Sequence, residues 1–447
     1  MERLDIKIQK DVKYILNRLI KNNFEAYIVG GCVRDIILNK EPKDYDITTS
    51  AKPEEVIKLF DKVILTGIKH GTVTVVLNNE NYEVTTFRID GEYKDQRHPK
   101  EVKFVTSLRE DLSRRDFTVN AMAYNDIDGF KDYFNGLNDL KNKIIKTVGN
   151  PEKRFLEDAL RMLRAIRFSA QLNFEIEEET LNAIKKLKDN IIKISKERIR
   201  EEFNKIIIYN PRKIDLLREC GLLEFIIKEM RKAYGFNQNN MYHVYDLYMH
   251  TIICMENIDA KLHLRLAMLL HDLGKLETKT TDENGISHFY GHVECSIEIA
   301  KKVLKGLKYD NVTIENVLIL IKYHDYPLND KITVKRLLNK IGEELLYDLL
   351  KVKKADILGK NSLYKETQLK NLLDIEKCLN NIIENKECFN IKQLKISGNE
   401  LIKVGLKGKE IGEMLNYLLD MVMEDKAINN TEELIKRSEE RRVGKEC

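Results

Sequence analysis

Two aspartates separated by one residue, Asp44-Tyr45-Asp46, are the sharpest chemical feature of the chain. In a strand, residues i and i+2 point to the same face, so this pair projects side by side. Carboxylates placed in this way repel one another unless a cation joins them. Mg²⁺ suits the arrangement, because it takes one or two carboxylates together with phosphate oxygens. Just upstream lies Val29-Gly30-Gly31-Cys32-Val33-Arg34-Asp35. A glycine pair between a strand and a helix lets the backbone approach a phosphate with no Cβ in the way. The helix start offers free N–H groups, and Arg34, one turn further on, can grip a triphosphate with a fork of donors. Each signal alone is weak, since Gly-Gly is usually a tight turn and an isolated Asp-x-Asp a solvated strand end. Together they point to phosphoryl transfer with Asp44 and Asp46 as catalytic metal ligands. A two-metal site usually draws a third carboxylate from a neighbouring strand. Glu83, within Tyr82–Arg88, is the candidate, against the plain reading of an exposed strand glutamate.

A second constellation lies in Glu157–Phe168, EDALRMLRAIRF, which reads as one helix. Leu160, Leu163 and Ile166 supply a packing stripe, and Asp158 and Arg161 are i, i+3 neighbours. Arg164 adjoins Arg161, whereas nine steps of 100° carry Arg167 to the far side from Asp158. By pattern alone this is an amphipathic helix with an Asp–Arg pair. The chemistry of a nucleotide substrate adds a sharper reading. Cytosine and adenine both present an exocyclic amine beside a ring-nitrogen acceptor. One carboxylate and one guanidinium match that edge, and both are left unpaired by uracil and guanine. Mismatched buried polar groups discriminate by up to about 10⁴-fold.

The third constellation is histidine-rich. Seven of the nine histidines fall between Tyr234 and Tyr326. His250, His271-Asp272, His292 and His324-Asp325 lie on successive expected helices, the core His271-Asp272-Leu273-Gly274-Lys275 following the apolar Leu262–Leu270. Imidazoles and a carboxylate gathered from several helices suit a divalent metal that activates water. The last ligand stays open among His292, His324 and Asp325. A vestigial site that only keeps the fold is the alternative, and His243, His263 and His288 read as surface or supporting residues.

Two kinds of element must position these groups. In the first 150 residues, the helical spacing of Ile8, Val12, Ile15, Leu16 and Leu19 gives way to β-rich runs at Glu25–Val29, Asp44–Thr48, Thr72–Leu77 and Tyr82–Arg88. From about Pro151, Leu, Ile, Lys and Glu dominate at a spacing near 3.6 and strand signals almost vanish. The 447 residues allow roughly three domains. A hydrophobic share of 43% with only 6 Pro excludes a disordered chain, and no apolar run is long enough to span a bilayer. Seven scattered cysteines without a CxxC pair fit a reducing compartment, and the charged start MERLDIKIQK carries no secretory signal, so a soluble, cytoplasmic protein is expected. The net charge of +4 permits a nucleic-acid partner without demanding one.

The motifs taken together carry a resemblance. GGCVRD, DYDIT, EVTTFR and Arg114-Arg115-Asp116-Phe117-Thr118-Val119-Asn120-Ala121-Met122-Ala123 resemble the signature series of the tRNA nucleotidyltransferase/poly(A) polymerase family, in particular its bacterial CCA-adding group. The resemblance covers roughly residues 20 to 170. It implies that Gly30, Gly31, Arg34 and Arg115 contact the nucleotide and that Asp44 and Asp46 bind Mg²⁺. It also makes Asp158 and Arg161, within EDxxR, the base readers, with Arg164 and Arg167 as further nucleotide contacts. The loop Ile89–Glu101 resembles the family's mobile catalytic loop, which would bring Arg97 to the phosphates. The histidine cluster resembles the HD-domain phosphohydrolases, with His250, His271, Asp272 and Asp325 holding a second divalent metal (Ni, Mn, Fe or Mg). The implied fold class is α+β: a small mixed-sheet, pol β-like nucleotidyltransferase head, then an elongated all-α neck, HD-domain body and tail. The expected boundaries are 1–150, 151–232, 233–330 and 331–436. The final RSEERRVGKEC, 437–447, resembles the translation of a sequencing-library adapter and is set aside as an artefactual extension. The implied partners are tRNA, through its acceptor end and elbow, and CTP and ATP, with no membrane and no DNA. Rival readings are a poly(A) polymerase or a C-only or A-only enzyme, an HD-type phosphohydrolase with a non-catalytic head, and an RNA-binding scaffold.

Overall fold

A computed structural model describes residues 6–91, 102–239, 245–360 and 364–446; Arg97 and His243 lie outside them. The chain forms two compact units, Met1–Arg231 and Lys232–Cys447. Among the described residues no helix is long and apolar enough to cross a membrane.

The first unit opens with α1 (Lys10–Lys21), whose buried Val12, Ile15, Leu16 and Leu19 form one apolar stripe. Its further elements are β1 (Ala26–Val29), α2 (Gly31–Ile37), β2 (Asp46–Thr49), α3 (Pro53–Leu59), β3 (Val63–Gly67), β4 (Thr72–Leu77) and β5 (Glu80–Thr86). The short pair β6 (Arg88–Asp90) and β7 (Val102–Phe104) leads to α4 (Leu108–Ser113), β8 (Met122–Asn125), β9 (Gly129–Asp132) and α5 (Gly136–Lys141). Seven strands make one mixed sheet in the order β3-β4-β5-β2-β1-β8-β9. The β2–β5 pair is parallel and the other pairs are antiparallel. Asn78 and Asn79 turn β4 into β5 with φ of 51° and 66°, a left-handed geometry that asparagine tolerates.

The helical part of this unit contains α6 (Pro151–Glu157), α7 (Leu160–Leu172), α8 (Glu178–Leu187), α9 (Lys196–Tyr209) and the short α10 (Ile214–Glu219) and α11 (Glu229–Ala233). One helix was expected through 157–168; the structure breaks it at Asp158. That residue has extended backbone (φ −144°, ψ 106°), and its Oδ1 accepts the Leu160 N–H at 3.0 Å. An aspartate that offers the backbone such a bond competes with helix continuation and starts a new helix instead. Helix α7 is buried nearly all round, Arg161 and Arg167 included, and packs along α9.

The second unit is built from α12 (Leu247–Glu256), α13 (Leu262–Leu270), α14 (Lys275–Thr278), α15 (His292–Gly306), α16 (Asn311–Tyr323), α17 (Lys331–Ile341) and α18 (Glu343–Gly359). Helix α18 packs on α12, α13 and α16. The chain ends in α19 (Lys365–Glu384), α20 (Gly398–Lys403), α21 (Lys409–Met423) and α22 (Thr431–Glu446). Helix α22 runs on through the segment set aside above. Two two-residue strand pairs, Ile144–Ile145 with Glu175–Ile176 and Thr280–Thr281 with Ser287–His288, interrupt the expected all-helical chain beyond the sheet.

Candidate functional site

Strand β2 begins at Asp46, so Asp44 lies in the bend before it rather than in the strand. The alternation nevertheless holds, with Tyr45 and Ile47 buried and Asp44 and Asp46 exposed. Parallel pairing sets Asp46 directly beside Glu83 of β5. Registered neighbours point to the same face, so the sheet itself brings the third carboxylate to the first two. Partial desolvation against the sheet raises the Asp46 carboxyl above its usual range, although the residue is exposed; Arg115 opposes that rise and Asp44 adds to it. Three hard oxygen donors on one face, with an unfavourable charge between two of them, form a set that fits a small divalent cation.

Gly30 follows β1 with φ of +79°, a conformation costly for any residue with a side chain. A Cβ there would lie 2.8 Å from an Arg115 guanidinium nitrogen and 3.6 Å from Asp46 Oδ2. The missing side chain is therefore what lets Arg115 reach the acidic face. Arg34 is buried, donating to Asp35 and, at 2.7 Å, to Asn120 Oδ1. Buried Asp111 accepts from Arg114 at 2.8 Å and faces Arg115 at 3.9 Å. This carboxylate went unnoticed in the sequence, although its i, i+3 and i, i+4 spacing from two arginines was visible. Among the described residues the buried Nε of Arg115 has no hydrogen-bond partner.

Beside this face a cleft of about 270 Å³ is lined by Arg114, Arg115, Asp116, Asp158, Leu160, Arg161, Arg164 and Arg198. It gathers Asp158, Arg161 and Arg164 with Arg115. The Arg161 backbone N–H donates to the Asp158 carbonyl at 3.0 Å, and the two side chains have further partners. Asp158 accepts from Arg198 at 2.8 Å, while Arg161 donates to Glu157 at 2.6 Å and to the carbonyls of Arg154 and Arg114. Arg164 sends Nε and a terminal nitrogen to Asp116 Oδ2 at 2.8 and 2.6 Å. Burial pushes the Asp116 carboxyl up, but Arg164 and Asn120 more than reverse this and hold it at about 2. Arg167 does not line the cleft: it donates to Glu202 at 2.8 Å and stacks 3.6 Å from the Phe168 ring centre. Arg34 and Arg164 stand over the same ring at 5.3 and 5.5 Å. Arg198 was missed in the sequence, because it lies forty residues from Asp158; Asn120 lies 86 residues from Arg34 but only four from Asp116, to which it donates at 3.2 Å.

The second unit assembles the histidines. Nε2 of His250 lies 3.4 Å from Nε2 of His271, and both face Asp272 Oδ2, at 3.4 and 3.3 Å. Nε2 of His292 and of His324 stand 3.6 Å from Asp272 Oδ1. Each of the four rings points Nδ1 at a backbone carbonyl, of Gly359, Met268, Phe289 and Ile321 respectively. With Nδ1 as the donor, Nε2 keeps its lone pair facing inward, the orientation metal-binding imidazoles need. Asp325 is exposed and stands at the opening over the group rather than among its buried donor atoms. The carboxylate that joins it is Asp356 of α18, 3.3 Å from His250 and 3.7 Å from His271, so the group draws on chain beyond Asp330. Burial disfavours charged imidazoles, yet the two aspartates hold His271 at about 9, so an incoming cation has to displace the Nε2 proton. Lys275 and Lys360 pair with Asp272 and Asp356, and an opening of about 610 Å³ over the group also carries Lys322, Phe289 and Tyr290. The nitrogen–oxygen donor set fits a divalent transition ion.

Comparison with known proteins identifies the family. Residues 26–146 match the Poly A polymerase head domain family, 173–234 the "Probable RNA and SrmB-binding site of polymerase A", and 277–437 the second domain of tRNA nucleotidyltransferases. The CCA-adding enzyme of Lactobacillus helveticus is 37% identical across 95% of this chain and 96% of its own. That of Ligilactobacillus salivarius is also 37% identical, across 95% and 94%. The crystal structure of the Bacillus stearothermophilus CCA-adding enzyme in complex with CTP superimposes with a TM-score of 0.71, at 28% identity over 98% of both chains. The carboxylate face, the arginine cleft and this end-to-end similarity lead to one conclusion: the chain belongs to the CCA-adding enzyme family of tRNA nucleotidyltransferases.

Proposed function

We infer that this protein, working in the cytoplasm, builds and repairs the 3′-terminal CCA of tRNA from CTP and ATP without a nucleic-acid template. The observation that carries this reading is the position of Arg115, which borders both Asp46 and the cleft that holds Asp158 and Arg161. A triphosphate on the acidic face would place its base in that cleft. In the reaction the 3′-hydroxyl of the RNA attacks the α-phosphate and pyrophosphate leaves. Asp44, Asp46 and Glu83 are the residues that would hold Mg²⁺, which when bound lowers the pKa of the attacking hydroxyl and neutralises the leaving group. Gly30 and Gly31 let the backbone close on the phosphates, while Arg34 and Arg115 bind their charge. Asp158 accepts from the exocyclic amine of cytosine or adenine, and Arg161 donates to the adjacent ring nitrogen. Arg164 is held at the cleft by Asp116. Arg167 supports it from behind through Phe168 and Glu202.

The test is incubation of purified protein with tRNA lacking its terminal CCA, with CTP and ATP singly and together. The reading requires CC from CTP and a completed CCA from both; a homopolymeric A tail would indicate a poly(A) polymerase instead. Asp44→Ala should abolish transfer.

The histidine–aspartate group favours a second activity, hydrolysis of a phosphate ester by metal-activated water. His250, His271, Asp272 and Asp356 would hold the ion, and the lysines at the opening would meet the phosphate charge. Asp44→Ala should leave this activity intact, whereas His271→Ala should abolish it; loss of transfer in His271→Ala with survival in Asp44→Ala would reverse the assignment.

A further inference from the structure

Helix α9 does more than cover α7. Arg198 and Glu202 are i, i+4 neighbours on it, so their side chains share one face. Arg198 sends one terminal nitrogen to Asp158 Oδ2 at 2.8 Å and the other toward Oδ1 at 3.5 Å. Glu202 accepts from Arg167 Nε at 2.8 Å and stands 4.0 Å from an Arg164 nitrogen. Two ion pairs of opposite polarity thus fix the register of α9 against α7 and against the residue just before it. Buried Ile199, Phe203, Ile206 and Ile207 anchor α9 in the core beneath them.

The Asp158 carboxylate is held from both helices. Oδ1 accepts the Leu160 N–H at the start of α7, and Oδ2 accepts from Arg198 of α9, so these donors set the plane of the group. Two carboxylate oxygens offer about four acceptor positions, which leaves one for the amine of a base. Arg198 also lines the same cleft as Asp158, Arg161 and Arg164, and its side chain is only 22% exposed. A charge-assisted pair in such a recess is stiffer than one on an open surface.

Resting on the reading of Asp158 as acceptor for the base amine, we propose that Arg198 is a positioning residue for base selection. It stays on Asp158 while the nucleotide is bound and holds the carboxylate where the amine of cytosine or adenine arrives. Uracil and guanine put a carbonyl oxygen at that place. A carboxylate fixed by Arg198 cannot turn away from the opposing oxygen, so the wrong base meets the full repulsion. A carboxylate free to rotate relaxes, and part of the discrimination is lost. Arg198 therefore acts mainly on rejection of the wrong base.

Single-turnover incorporation by the full-length protein tests this, comparing CTP with UTP on tRNA lacking its CCA and ATP with GTP on tRNA lacking only the final A. In Arg198→Ala, and in Arg198→Gln, which keeps much of the length but neither charge nor fork, both ratios fall about ten-fold or more. Each ratio compares two nucleotides on the same molecules, so a loss of folded protein cancels. In an Asp158→Ala background, Arg198→Ala changes the ratios by less than about two-fold, because nothing is left to position. Ratios unchanged in both Arg198 variants, but lowered by Asp158→Ala, overturn the proposal and leave base reading by Asp158 standing. A drop from Arg198→Ala that persists undiminished in the Asp158→Ala background also overturns it, since Arg198 then acts through another group. Ratios unchanged in Asp158→Ala itself overturn the base reading and the proposal together.

Discussion

Single residues make the most exposed commitments. Asp46 and Glu83 share a registered position on adjacent strands, so Asp46→Asn or Glu83→Gln should leave the fold intact and lower single-turnover nucleotide transfer. Loss of several kcal/mol of charge stabilisation corresponds to about 10³-fold. An effect below ten-fold for Glu83→Gln would return it to an ordinary exposed strand glutamate. Asp116 yields a pH prediction. Its carboxyl sits at about 2, below the ordinary aspartate value of about 3.9. The unfolded chain therefore binds the proton more readily, and the stability Asp116 contributes is present above about pH 4 and fades as pH falls toward 2. The full contribution is on the order of 2 kcal/mol. Urea unfolding of wild type and Asp116→Asn should diverge most near neutrality and converge at acid pH; an advantage that persists undiminished at acid pH would contradict the pairing with Arg164. The sequence disclosed residues whose partners are near in the chain, such as Asp44 with Asp46 and His271 with Asp272. It hid those brought in from afar. The last ligand is open in the sequence among His292, His324 and Asp325, whereas Asp356 reaches the site only because α18 packs on α12 and α13.

At the level of elements, the sheet and its connections set the geometry. The runs at Thr72–Leu77 and Leu262–Leu270 were legible because periodicity and composition agree there. Strands β3, β8 and β9 were not read from the sequence, since β3 exposes Ile64 and Leu65 and β8 buries nearly every residue, so neither alternates cleanly. The break at Asp158 escaped notice because helical periodicity resumes two residues later in α7. Its consequence is that Asp158 and Arg161 face the cleft from two different elements. The left-handed Gly30 joins β1 to α2 beside Arg115. Gly30→Ala should cost about 1–2 kcal/mol in backbone strain and displace Arg115. The expected kinetic signature is a raised KM for CTP and ATP together with a reduced kcat; unchanged kinetics would mean that Arg115 does not meet the triphosphate.

For the whole molecule, the proposed reading gives the two units separable chemistry. Asp46→Asn should stop transfer without altering the metal content of the second unit, and His271→Ala should empty that centre without slowing transfer. Coupled losses in both variants would refute this independence. The helices beyond Asp330 are rich in lysine, a face that can serve as a surface for the tRNA elbow. If they serve that role, tRNA affinity should fall as salt rises, with a slope reduced by removal of several of their lysines. The central claim is that amino-acid side chains replace a template. Its most direct measurement is single-turnover incorporation of each of the four nucleotides by wild type and Asp158→Ala. The account predicts that wild type takes C and A and rejects U and G, and that Asp158→Ala still transfers but loses most of that selectivity, by about 10²-fold or more. Undiminished selectivity in Asp158→Ala would contradict it.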